Sequence, residues 1–222
     1  MRLRLRPGIS FCAVGDRLIF LDVQHDRYFC LSRPAEQSFQ RLAHGYDLST
    51  EDHQRVARLR EGALLTGTDE DCLPQACVPP PPVSVSLIED SPGQTSFYEL
   101  TVAFSHLVRV RALLRMRSLE VVLGAIVRAK GAATPQAGSI DRRLRKIATA
   151  FRRLNLVASP LDQCLPRSLA VATRCLAVDI VPTVVIGVKL QPFGAHCWIQ
   201  HGDLLINERI DGVRDFTPIL VI

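Results

Sequence analysis

The sequence predicts an α+β protein: a small winged-helix-like domain of three strands and three helices, then a larger domain with helices packed on an antiparallel sheet. Three observations carry that expectation. Short apolar clusters separated by turn signals fill the first 32 residues, four consecutive prolines interrupt the chain at 79–82, and a helical apolar repeat beginning near residue 164 leads straight into three apolar strands. The expected boundaries are a first domain over 1–66, a proline-rich linker over 67–82 and a second domain over 83–222.

In the first domain, Leu3 to Leu5, Leu18 to Leu21 and Tyr28 to Leu31 are the strand candidates. Pro7-Gly8, Val14-Gly15-Asp16 and Gln24-His25-Asp26 supply the turns, so the simplest arrangement is an antiparallel meander. Ser32 is placed to cap a helix with Pro34 in its first turn and Glu36 and Gln37 near the capping-box position. Phe39, Leu42 and Ala43 mark its inner face and Gly45 its end. Ser49 or Thr50 opens a second helix running through Val56 and Leu59 toward Leu64. The proline run cannot continue a helix or a central strand, which makes it the linker.

Beyond the linker, helices are expected near 98–115, 118–130 and 140–155, interrupted by Gly131 to Gly138. From Pro160 the pattern tightens: Leu165, Leu169, Ala172 and Leu176 recur at helical spacing. VPTVVIGV then reads as a buried strand, HCWIQ as a second and LLIN as a third, the last two joined by a His201-Gly202-Asp203 turn.

Composition narrows the class. The chain of 222 residues carries a net charge of +5. Its basic excess lies between Arg109 and Arg153, where only Glu120 and Asp141 oppose it. Those cations are spread over several helices without interleaved aromatics, and the segments PAEQSFQRLAHG and STEDHQRVARLR are mixed in charge, so no nucleic-acid partner is expected. MRLRLRPGIS lacks the apolar core of a signal peptide, and no window is apolar enough to span a bilayer. The seven cysteines show no CxxC spacing, which argues against a disulfide framework or a metal knuckle. A reducing, cytoplasmic setting with no membrane contact, metal or cofactor is the expectation.

Chemistry concentrates at two residues. Cys164 heads the amphipathic helix, whose start is expected at Asp162 or Gln163 with Pro166 in the first turn. His196 lies on the first strand of the hairpin. Unpaired N–H groups and the dipole of a helix N-terminus stabilise a thiolate, and a nearby imidazole accepts its proton. Papain-like and transglutaminase-like enzymes build their nucleophile this way. The Cys164 N–H is one oxyanion donor in that scheme.

A third group should orient the imidazole. Asp203, Asn207, Glu208 and Asp211 are the candidates, and the hairpin geometry favours Asn207 or Glu208, because Asp203 is left at the tip. Cys175, deep in the helix, and Cys197, alternating away from His196, are expected to be packing residues. Trp198 shares the His196 face and is a candidate cleft wall. Arg167 follows the nucleophile closely and is a candidate substrate contact.

The strings PLDQCLPRSLAVATRCLA, VPTVVIGV and AHCWIQHGDLLIN resemble the leader peptidases of lasso-peptide biosynthesis, the transglutaminase-like cysteine proteases called B proteins, over about residues 155–210. The resemblance implies cleavage of a leader from a core peptide by Cys164, His196 and an acid. Where the family has aspartate, this chain has Glu208. The first 65 or so residues, notably FLDVQHDRYFCLSRPAEQSF, resemble a PqqD-like element that binds the leader of a ribosomally made precursor as an added strand. That resemblance makes Phe20, Leu21, Tyr28 and Phe29 the leader-binding candidates. It also implies two partners: the precursor peptide, and an ATP-dependent cyclase similar to asparagine synthetase that closes a macrolactam on the freed amine. The departure at Glu208 motivates a second reading, a non-catalytic protein that binds and delivers the precursor.

Overall fold

The computed structural model describes residues 2–69, 72–89, 94–134, 140–155 and 164–222. It divides into two compact units, 1–78 and 79–222. The division falls inside the stretch expected to be a linker.

The first unit contains β1 (Arg2–Leu5), β2 (Ile9–Val14), β3 (Arg17–Asp22), β4 (Arg27–Phe29), α1 (Arg33–Ala43), α2 (Thr50–Glu61) and β5 (Leu65–Thr68). A three-residue-wide aromatic ladder explains the sheet. Phe11, Phe20 and Phe29 stand opposite one another across β2, β3 and β4, their rings stacked at 5.5 and 5.3 Å. Phe39 of α1 meets the rings of Phe11 and Phe20 edge-on. Such pairs contribute about 0.5–1.5 kcal/mol each beyond their burial. Val56 of α2, Leu64 and Leu65 close this core.

The expected meander is corrected in two ways. The strand of Leu3 to Leu5 is not part of it: β1 pairs antiparallel with β5, while the meander is β2-β3-β4, with Ile9–Val14 the strand that was not foreseen. The described unit therefore has five strands and two helices rather than three and three. Thr66 to Thr68, at the edge of the expected linker, are held in the β1–β5 ladder, and Cys77 N–H donates to Phe11 O, bringing the following segment back along β2. The cap of α1 also differs. Ser32 makes no side-chain cap bond, and Glu36 turns inward, accepting from Leu18 N–H and from Arg17 at 3.1 Å each. The capping box sits on α2, where Ser49 and Asp52 bond reciprocally, and Leu64 lies beyond the helix end.

The second unit contains β6 (Val85–Ser86), α3 (Phe97–Met116), α4 (Leu119–Ala132), α5 (Ile140–Asn155), α6 (Cys164–Leu176), β7 (Thr183–Leu190), β8 (Phe193–His201), β9 (Leu204–Leu205), α7 (Ile210–Arg214) and β10 (Thr217–Val221). Its sheet has the order β10-β7-β8-β9-β6, antiparallel throughout except for the β6–β9 pair. The expected third strand, LLIN, is only two residues long. β8 runs to His201, so the turn is Gly202-Asp203, with Gly202 at φ 61, a left-handed conformation that glycine adopts without strain.

α6 is the centre of this unit. Leu169, Ala170, Val171, Ala172 and Cys175 are all fully buried, because α3 and α5 pack against the helix as well as the sheet. Burial of each large side chain here, such as Leu169, Leu144 or Phe151, contributes about 1.5–3 kcal/mol. Val185, Trp198, Leu205 and Val213 form a second cluster with Phe216. Among the described residues, no helix is long and apolar enough to cross a membrane.

Candidate active site

Cys164 lies in the N-terminal turn of α6, with Pro166 in the same turn; the start expected at Asp162 or Gln163, and Pro160, lie outside the described residues. β8 carries His196 opposite Gly187 of β7. The His196 imidazole is hydrogen-bonded to the Cys164 thiol, and its Nε2–H donates to Glu208 Oε2 at 3.0 Å, which leaves Nδ1 for the sulfur. Glu208 comes within reach because Leu204–Leu205 retraces β8 and Ile206 N–H continues the ladder by donating to Ile199 O.

Two other candidates for the third position are engaged elsewhere, and Asp211 lies in the first turn of α7. Asp203 accepts from Ser84 Oγ at the far end of the hairpin. Asn207 faces inward: its Oδ1 accepts from Ile199 N–H at 2.8 Å and its Nδ2 donates to Ser168 Oγ at 2.8 Å. Ser168 Oγ in turn donates to Cys197 O at 2.6 Å. Ser168, Asn207 and the Cys197 carbonyl thus form a buried bridge that ties together the three segments bearing Cys164, Glu208 and His196.

The electrostatics follow from this contact set. Burial alone would raise the Cys164 thiol, but the hydrogen bond and charge of His196, with backbone hydrogen bonds at Cys197 and Leu165, outweigh it and bring the thiol below its ordinary 9.0. Burial would likewise lower His196, yet its bonds to Cys164 and Glu208 push it up to about 9. Glu208, despite desolvation, stays below the ordinary range through His196 and the N–H of Arg209, and the Arg167 charge favours its anion too. These contacts favour the charged forms, a thiolate at Cys164, an imidazolium at His196 and a carboxylate at Glu208. By contrast, Cys175 and Cys197 are buried and pushed up to about 12 by desolvation, as inert thiols are.

Several expected contacts are placed differently. Trp198 is 4% exposed and donates from Nε1 to Gln200 Oε1, so it is not a cleft wall. Its ring lies 6.3 Å from the His196 ring and backs it. Phe20 and Leu21 are fully buried on the middle strand, with both ladders occupied, and cannot meet an added strand. Tyr28 and Phe29 lie on β4, which pairs with β3 and with no other strand among the described residues. Arg167 is partly buried beside the site.

Two residues escaped the sequence reading. Phe216, just ahead of β10, packs its ring 5.4 Å from His196. Gly187 is opposite His196, and a Cβ there would come within 2.7 Å of Trp198 and 2.9 Å of Phe216. A glycine inside a strand is a sign of such close approach and was the available signal. Among the described residues, no group of three or more His, Cys, Asp or Glu is placed to hold a metal ion.

Comparison with known proteins agrees with this geometry. A family model described as the transglutaminase-like superfamily matches residues 106–221, a span that includes Cys164, His196 and Glu208. Comparison with curated proteins and with solved structures found no match.

Proposed function

The chain belongs to the transglutaminase-like superfamily, and from that premise we propose that it is a cysteine peptidase removing the leader from a lasso-peptide precursor. The single observation that carries this is the hydrogen-bonded series from Cys164 through His196 to Glu208. The sequence resemblance over 155–210 supplies the substrate class.

In this reading the Cys164 thiolate attacks the carbonyl carbon of the leader's last residue, and the negative oxygen is met by N–H groups at the head of α6. The imidazolium of His196 gives its proton to the leaving amine, which becomes the core peptide's N-terminus. Water, deprotonated by His196, then hydrolyses the leader thioester and restores the thiol proton to the pair. Glu208 holds the imidazole in position and stabilises its charged form.

The first unit binds the leader as a strand added along β4, the outer strand of the meander among the described residues, beside Tyr28 and Phe29. A cyclase similar to asparagine synthetase takes the product, and both proteins work in the cytoplasm. The test is incubation with the precursor, read by mass spectrometry. Wild-type protein and Cys197→Ala protein should release the leader and Cys164→Ala protein should not. Undiminished cleavage by the Cys164→Ala protein would falsify the assignment, and a wild-type protein that binds the precursor without cutting it would favour a delivery role.

A further inference from the structure

α3 is apolar on two faces, and only one of them is used. Ala103, Leu107 and Val110 are buried at helical spacing against the rest of the unit. Around the other side Phe97, Phe104 and Val108 are 85%, 55% and 47% exposed, and Tyr98 and Met116 are 70% and 69% exposed. They fall in two rows of equal spacing, Phe97-Phe104-Val108-Arg115 and Tyr98-Ser105-Arg109-Met116, about 100° apart around the helix axis. Thr101 and Ala112 lie between the rows. Thr101 and Ser105 turn their hydroxyls back on their own helix, donating to Phe97 O at 3.0 Å and Val102 O at 2.8 Å, which leaves this face little polarity besides its arginines. α5 shows the contrast: it packs against α3 and α6 too, yet its exposed side includes Arg142, Arg145 and Lys146 and no large apolar side chain among the described residues. A solvated helix face looks like that of α5, whereas a contiguous apolar strip marks an interaction surface.

Charge selects the occupant. The one acid of α3, Glu99, is held by Arg174 at 3.4 Å. Arg109 and Arg115 are exposed, one in each row, Arg117 follows at the helix end, and the next acid along the chain, Glu120, already belongs to α4. A second copy of the chain would set arginines against arginines. A lipid surface suits a continuous apolar face with cations at its margins, but here an arginine interrupts each row. The shape is also specific. Small side chains along the middle and large ones on both flanks, over a straight strip about 28 Å long, accept the ridge of another helix.

We propose that the outer face of α3 docks an amphipathic helix of a partner protein, one whose apolar residues are flanked by aspartates or glutamates. The inference goes beyond the proposed function and is independent of the chemistry at Cys164.

Two synthetic helical peptides test it on the full chain. One carries leucines at helical spacing flanked by glutamates, and its twin has lysines in place of the glutamates. Binding is read by fluorescence anisotropy and located by hydrogen exchange. The glutamate peptide should bind and slow exchange across α3, with the lysine twin at least about tenfold weaker and the gap narrowed by salt. Phe104→Ser should weaken the glutamate peptide about tenfold, and the double variant Arg109→Glu, Arg115→Glu should reverse the preference between the peptides. All three side chains are exposed, so thermal unfolding should stay unchanged and report that each variant is folded. Equal binding of the two peptides, no binding of the glutamate peptide, or binding that Phe104→Ser leaves intact overturns the proposal. So does a dimer of the chain that Phe104→Ser abolishes, or binding to phosphatidylglycerol vesicles through α3 in preference to the glutamate peptide.

Discussion

Glu208 contributes to the site by charge as much as by position. His196 reaches about 9 because burial, which would lower it, is outweighed by its bonds to Cys164 and Glu208. A Glu208→Gln side chain still accepts the imidazole N–H but brings no charge, so the His196 pKa should fall toward its ordinary 6.5. Cleavage requires the protonated imidazole for the leaving amine. The alkaline limb of the pH–rate profile should therefore move to lower pH in the variant, with a rate loss of at least about tenfold; an unmoved limb would mean that Glu208 does not set the imidazole's protonation. Asn207 acts one step back. Asn207→Leu leaves Ile199 N–H and Ser168 Oγ buried without their partner, a loss of about 2–3 kcal/mol in urea unfolding. Slower alkylation of Cys164 should accompany that loss, since the bridge aligns α6 with β8. The pairing of Cys164 and His196 was legible from a cysteine at a helix head and a histidine on the next sheet. The choice between Asn207 and Glu208 was not, because it depends on how far β9 extends before the chain leaves the sheet.

At the scale of elements, β7 and β8 form the frame of the site. Gly187 gives Trp198 and Phe216 the room to flank His196 from behind. A methyl group at that point must displace ring atoms within a packed core, at a typical cost of about 1–3 kcal/mol. Gly187→Ala should lower both thermal stability and the rate at Cys164, whereas Gly202→Asn at the exposed hairpin tip, where a left-handed residue is needed and nothing lies within 4 Å, should change neither much. Helices α3, α4 and α5 of the second unit were readable from their own periodicity and lie within two residues of expectation, whereas the five-residue α7 was not foreseen. Leu3 to Leu5 was expected as a strand, but β5 and its pairing with β1 were not, because that pairing joins residues about sixty positions apart and short strands carry little local signal. Glu36 misled for a related reason: its spacing from Ser32 suits a cap, but Arg17 and the unpaired Leu18 N–H on β3 offer it better partners.

Across the whole molecule, the two units differ in what ionisation contributes to them. In the first, Asp52 is drawn down to about 2 by hydrogen bonds from Ser38 and Ser49. Asp22 also lies below its ordinary value, where burial opposes but His25 and Arg6 prevail. A carboxylate with a depressed pKa stabilises the fold above its unfolded value and loses that contribution as pH falls through the folded one. Hydrogen exchange should therefore show α1 and α2 loosening between about pH 4 and 2, and Asp52→Asn should flatten that dependence; protection of both helices that does not change over this range would contradict it. The described structure divides between Val78 and Pro79, where the proline run begins, and the segment up to Val78 stays with the first unit through contacts such as Cys77 N–H to Phe11 O that no composition shift reveals.

The central claim, that Cys164 is the nucleophile acting on the precursor, is tested most directly by trapping the acyl intermediate. The full chain is mixed with precursor, quenched in acid within the first turnover, digested and mapped by mass spectrometry. The account predicts the leader joined through its C-terminal carbonyl to the sulfur of Cys164 and to no other cysteine, with the adduct absent from the Cys164→Ala protein. Leader release with no acyl group ever found on Cys164, or with the adduct on Cys175 or Cys197, would contradict it.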